Sequence, residues 1–221
     1  MTQDRKFTRL DMGMMFAVHN ALRRDLVHIG RLTGRLDDDP RRLLGSALGW
    51  ALFKQFLHIH HTSEDATVWP VLRAAVADNP DGVALADAME AEHARIDPLL
   101  AAVDAAVADR DYGHERLGDV VDALHGELTA HLAHEESEGL GLLDATLSPE
   151  AWQRFAVDHR ERVGADSRRY LPWLLDGASE ESIKAVLGKM PAPFVATYED
   201  EWKVAYAELD LWGDRGQSAA T

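Results

Sequence analysis

Apolar residues recur along this chain at spacings of three and four, the period of a helix with one buried face. Four long stretches carry the pattern: about Thr8 to Arg35, Arg41 to Ala77, Val83 to Arg110, and His114 to Ala145. Between them lie Asp37-Asp38-Asp39-Pro40, Asp78-Asn79-Pro80-Asp81-Gly82 and Asp111-Tyr112-Gly113, the residue types that stop helices. Strand-like alternation is scarce. Short connections between long helices favour antiparallel neighbours, so the pattern predicts an all-α, up-down-up-down four-helix bundle over residues 8–147. Ser148 followed by Pro149 then signals a fresh helix start. Residues 148–212 read as a helical C-terminal extension, interrupted near Gly177 and at Pro191-Ala192-Pro193, and residues 213–221 as a flexible tail. The extension holds Trp152, Trp173, Trp202 and Trp212, large surfaces for packing on the bundle or on a protein partner.

Each predicted apolar stripe also carries a histidine. Met12, Met15, His19, Leu22, Leu26 and Ile29 share one face of the first helix, and Phe53, Leu57, His60, Glu64 and Val71 one face of the second. The third gives Ala86, Met89, His93, Ile96 and Leu100, and the fourth gives Val121, Leu124, Leu128, His131, Glu135 and Leu142. A single core histidine is usually just hydrogen-bonded. A buried carboxylate needs compensation, and two of them with four histidines need a shared one. A metal centre supplies it. Residues i and i+4 lie one turn apart on the same face, so a His-x-x-x-Glu pair can offer nitrogen and carboxylate together. His60 and Glu64 recur 71 residues later as His131 and Glu135, as if two helix pairs each supply half of a two-metal site. The candidate ligands are therefore His19, His60, Glu64, His93, His131 and Glu135. Imidazole and carboxylate without thiolate suit iron or manganese, with zinc a lesser fit. Heights agree between the first and second helices and between the third and fourth. Between the second and third, His60 and His93 stand about two turns apart when Ala77 and Val83 bound the helices.

His61 with Asp65 and His134 with Glu138 repeat the spacing, but His61 shares its face with Lys54 and Asp65, and His134 shares one with Glu127 and Glu138. Those more polar faces assign both histidines to an outer shell or to solvent.

Composition narrows the function. The 221 residues include no cysteine, which excludes disulfides, thiolate zinc sites and cysteine-held iron–sulfur clusters. A formal net charge of -15 repels phosphate backbones, so nucleic acid is not an expected partner. No run approaches the roughly 18 apolar residues of a membrane span, and the expected location is cytoplasmic.

The segments His19-Asn20-Ala21-Leu22-Arg23, His60-His61-Thr62-Ser63-Glu64-Asp65, Glu92-His93 and His131-Leu132-Ala133-His134-Glu135-Glu136 together read H…HxxxE…H…HxxxE. Over residues 10–145 this resembles the hemerythrin-like, or HHE cation-binding, family. The resemblance implies two irons, oxo- or hydroxo-bridged when oxidised. It implies His19, His60, His93 and His131 as terminal ligands and Glu64 and Glu135 as bridging carboxylates. The oxygen carriers of that family place two histidines on the third helix as HxxxH. Here Met89 and Asp97 flank His93 at those positions, so one histidine of that set is missing, and Asp97 is a candidate replacement. A site with fewer histidines suggests open positions for O2, NO or peroxide, with peroxide breakdown or redox sensing as uses. The alternative from another class is an iron-responsive interaction module without catalysis. A ferritin-like carboxylate site fits poorly, because no glutamate precedes residue 64.

Overall fold

The computed structural model describes residues 7–34 and 39–213, and all regular structure among them is helical. The predicted tail from residue 214 onward, and residues 35–38 of the first break, lie outside the described residues. Helices α1 (Gly13–Thr33), α3 (Leu48–Thr67), α5 (Pro80–Ala108) and α6 (Gly113–His134) form the bundle; α2 (Pro40–Ser46) and α4 (Trp69–Ala75) are short, and α7 (Leu140–Thr146) ends the fourth stretch. α1 packs against α3 and α6, and α5 against α6, α4 and α3.

The second and fourth predicted helices are subdivided, and the first is shortened. The first begins at Gly13 rather than Thr8, because the preceding residues are held by the bundle instead. Backbone N–H groups of Thr8, Arg9 and Leu10 donate to the Asp144 carboxylate at 3.1, 3.0 and 2.7 Å. The second breaks at Ala47, which is extended, and again at Val68. The fourth passes through a π-helical turn at Glu135–Gly139, where the Leu140 N–H reaches the carbonyl of Glu135. Such a turn inserts one extra residue and re-aims the side chains beside it. α5, in contrast, starts three residues earlier than expected. Asn79 caps it through the Gly82 N–H at 3.3 Å, and Pro80 takes the first position. It also runs on through Pro98.

The extension begins as the sequence indicates, with Ser148 accepting from the Ala151 N–H at 3.2 Å. It comprises α8 (Pro149–Val163), α9 (Ser167–Leu175), α10 (Glu180–Leu187), α11 (Ala192–Thr197), a π-helical turn at Tyr198–Trp202 and α12 (Lys203–Ala207). The breaks near Gly177 and at Pro191 are present, and one more falls at Gly164. Gly164 and Gly177 have φ of 48° and 67°, where a Cβ would be strained. α8 lies along α3, and α9 and α10 pack on α1. Val163, Leu171, Trp173, Leu174 and Val186 join Leu22, Leu26, Phe53 and Phe56 in one core. Trp173 packs at a tilt on Phe56, ring centroids 4.8 Å apart, and donates through Nε1 to the buried Asp25 carboxylate at 2.7 Å. Trp173 and Trp212 are therefore used within the chain's own core.

Trp212 closes the opposite end of α3. Its ring stacks on His28 at 5.3 Å and covers Gly49, where a Cβ would lie 2.4 Å from the indole. The Gly49 N–H donates to the Leu211 carbonyl at 2.8 Å. Gly49→Ala is expected to expel Trp212, cost about 1–3 kcal/mol as overpacking, and speed proteolytic nicking near residues 209–213. Cleavage at the wild-type rate with unchanged stability would show that the clamp is not closed in solution.

Candidate metal centre

All six donors chosen from the sequence are buried, and so is His61. They form two adjoining groups. In the first, His19, His60, Glu64 and Glu135 each offer one donor atom, all within 4.8 Å of one another; in the second, His61, His93 and His131 do the same. Each helix contributes where its apolar stripe crosses the middle of the bundle. α1 gives His19, α3 gives His60, His61 and Glu64, and α5 gives His93. α6 gives His131, and the π-helical turn after it gives Glu135. That turn packs Gly139 against Glu135, since a Cβ there would lie 3.2 Å from the Glu135 Cγ.

The imidazoles are oriented from outside. His19 Nδ1 donates to Glu136 at 2.9 Å, and Arg23 holds the same Glu136 oxygen at 2.7 Å. His93 Nδ1 donates to Asp65 at 2.7 Å. His131 Nδ1 donates to Glu92 at 2.9 Å, and His134 donates to the other Glu92 oxygen at 2.9 Å. With Nδ1–H turned to a carboxylate, Nε2 is left to point a lone pair inward. The inward atoms meet in pairs. Nε2 of His19 and of His60 lie 3.2 Å apart, and Nε2 of His93 and of His131 lie 3.1 Å apart. Glu64 stands between the pairs, with one oxygen 3.5 Å from His60 Nε2 and the other 3.6 Å from His93 Nε2. Glu135 reaches His19 Nε2 at 3.1 Å.

Such a centre is costly without a cation. Facing lone pairs repel, and both oxygens of Glu64, Nδ1 of His60 and both ring nitrogens of His61 are buried without a hydrogen-bond partner among the described residues. Burial pushes the Glu64 carboxyl well above its ordinary range, and the neighbouring Glu135 adds to it. Burial also holds His60 and His61 well below theirs, reinforced by the other histidines. Burial acts against the charge on Glu135 too, but His19 outweighs it and holds that carboxyl low. The donor set fits a metal. Two imidazole nitrogens about 2.1 Å from one ion and at a right angle come about 3 Å apart, the separation of each inward pair. The outer carboxylates match the carboxylate–histidine support that metal-bound imidazoles use.

His61 is the residue whose surroundings differ most from expectation. It is neither outer-shell nor solvated: its ring stacks face to face on His93 at 3.9 Å and lies edge-on to His131 at 5.2 Å. The polar face that suggested exposure was real, but Asp65 on it serves His93. His134 is half-buried and supports Glu92, in keeping with an outer role. Asp97 is exposed and outside both groups, so it does not replace the missing third-helix histidine. The apparent two-turn offset between the second and third helices also resolves. α5 starts at Pro80, and Glu64 and Asp65, not His60, stand level with His93.

No helix among the described residues is long and apolar enough to cross a membrane. The zinc finger protein BRUTUS-like of Arabidopsis thaliana is 23% identical over 194 residues, 78% of this chain and 15% of that much longer relative. No solved structure matches the chain significantly. The model of the hemerythrin HHE cation-binding domain matches residues 12–143, which hold the four bundle helices and all seven clustered donors, and the chain belongs to that family.

Proposed function

We propose that the chain holds two irons side by side and uses them to meet a small diatomic molecule or peroxide. His19, His60 and Glu135 would hold one ion and His61, His93 and His131 the other, with Glu64 shared. The observation that carries this is Glu64, buried between the two histidine pairs with one unpartnered oxygen toward each. His61 supplies the histidine that the third helix lacks. Bound iron would supply one-electron redox chemistry and coordination positions for O2, NO or peroxide. The chain's own part is to fix the imidazoles through Glu136, Asp65 and Glu92 and to keep bulk water out. The Glu92–His134 pair, at the edge of the centre, is placed to carry protons between His131 and solvent.

The test is metal content per chain with the visible spectrum, before and after peroxide. About two irons per chain with di-ferric absorption is the expected result. Absence of bound iron after expression in iron-replete medium and after anaerobic reconstitution would end the proposal. Zinc or manganese at the same stoichiometry would keep the site and change its chemistry. Oxygen release from peroxide by the loaded protein would make it a catalase-like enzyme.

A second use, an iron-responsive interaction module, draws on one feature. The extension shares its core with α1 and α3, two of the helices that hold the donors. Metal loss that loosens these helices would reach the extension's outer surface. A protease pattern in residues 149–212 that is unchanged by metal removal would dispose of that use.

A further inference from the structure

Between the bundle and the extension lies a chamber of about 560 Å³, large enough for a drug-sized molecule. α1, α8, α9 and the segment from α10 to α11 wall it with Met15, Val18, Phe155, Leu171, Met190 and Phe194. Most of it falls outside the family-matched residues, so the extension builds it. Its rim is polar, with exposed Gln153, Arg160 and Lys189, and Lys189 is tied across to Asp11 at 2.6 Å.

His60, His159 and Tyr170 are among the polar side chains that line this mostly apolar space. Each has an atom buried without a hydrogen-bond partner among the described residues, namely His60 Nδ1, His159 Nε2 and the Tyr170 hydroxyl. Their rings form a row, His60 to His159 at 6.4 Å and His159 to Tyr170 at 5.4 Å. Buried polar groups are normally satisfied. Three orphans in a row on one cavity point to a partner that the chain itself does not provide.

We infer that the chamber binds an uncharged organic molecule with an apolar body and one terminal hydroxyl or carbonyl oxygen, which is directed inward to Tyr170 and His159. A carboxylate is the poorer occupant at that depth. The cations of the chamber's lining, Arg160 and Lys189, stand exposed at the rim, and an anion carried past them into the apolar interior would meet no counter-charge. Placement of the oxygen end beside His60 puts the ligand against the bundle's donor cluster. Binding itself does not require metal, so a metal-free protein that still binds separates this inference from the iron centre.

The experiment is calorimetric titration of the full-length protein with 1-decanol, 2-decanone, decanoate and decane, with thermal shifts in parallel. Saturable one-to-one binding of decanol or decanone, about tenfold tighter than decanoate or decane, is expected. Tyr170→Phe removes only a hydroxyl that has no hydrogen-bond partner among the described residues. It should leave the melting temperature of the free protein unchanged or higher and remove the preference for the oxygenated ligands. Ala156→Trp, at an exposed position on the chamber's edge, should block all four compounds without unfolding the chain. Absence of saturable binding to wild type would overturn the inference. So would decane or decanoate that binds as tightly as decanol, or Tyr170→Phe that binds decanol as wild type does.

Discussion

Removal of metal by a chelator is expected to lower the unfolding temperature by about 8–16 °C at neutral pH, and the stripped protein itself loses stability on mild acidification. The first number follows from mass action. Free metal at a thousand times its Kd stabilises the folded chain by about 4 kcal/mol, and for a chain of this size each kcal/mol is worth about 2–4 °C. The acid lability follows from which state takes up protons. In the metal-free fold burial holds His60 and His61 well below the ordinary histidine value, and His159 at about 4. Unfolded, all three protonate near 6.5. From pH 6.5 down to 4 the unfolded chain therefore binds more protons, so this stability is present above 6.5 and is lost as pH falls. Glu135, held low by His19 although burial opposes it, adds loss in the same direction below the ordinary glutamate range. His19 and Glu64 act the other way. Burial disfavours the charge on His19, but Glu135 and Glu136 outweigh it and raise its pKa. Glu64, raised by burial and then by Glu135, costs more stability as pH rises above 4.5. Burial lowers His131 as well, so four histidines act toward acid lability against these two groups. Melts at pH 7.5 and 5.5, with and without chelator, read both effects. Equal melting temperatures for stripped and loaded protein at both values would mean that nothing binds at the cluster.

The sequence already contained most of that cluster, and the reason is geometric. His60–Glu64 and His131–Glu135 are one helical turn apart, and helical period is the one long-range order that a local pattern records. His19 and His93 were legible because each stands alone among hydrophobes on its stripe. His61 was not, because it follows His60 and so points about 100° away around the helix. Its face was judged from Lys54 and Asp65, whereas at the centre of the bundle α3 meets α5 as well as α1, and its buried arc is wider there. The same limit hid the breaks. Gly45 and Gly49 around Ala47 and Pro70 just past Val68 are weak stop signals inside a continuing apolar pattern, and the π-helical turn at Glu135–Gly139 looks like ordinary helix until Glu135 is seen beside His19. Pro98 does not interrupt the predicted third helix, since the packing of Ile96, Leu100 and Val103 carries α5 past it. The chamber had no local signature at all. It is made by residues from the start of α1 to α11, brought together only by the docking of Trp173 and its neighbours.

Glu64→Gln is expected to make the metal-free protein more stable and the metal-bound protein scarce. Such opposite signs distinguish a ligand from a structural residue. In the metal-free fold the Glu64 side chain is fully buried, neither oxygen has a partner, and Glu135 lies close enough to oppose its ionisation. An amide of the same shape has no proton to gain or lose and so removes the cost of the raised carboxyl pKa, while the packing around the side chain is kept. A residue that merely stabilised the core would show a loss on the same change. The amide also offers one weak acceptor where the carboxylate offered two anionic oxygens, one toward His60 and one toward His93. If Glu64 is shared by two ions, both lose a ligand and a neutralising charge, and metal content should fall from about two per chain to below one. His61→Ala removes a donor from the second group alone and should leave about one ion per chain. Measured together, metal analysis and denaturant melts of the stripped variants decide the matter. Two ions retained by Glu64→Gln would take Glu64 out of the centre, and a less stable stripped protein would show that its carboxylate has a partner in the fold.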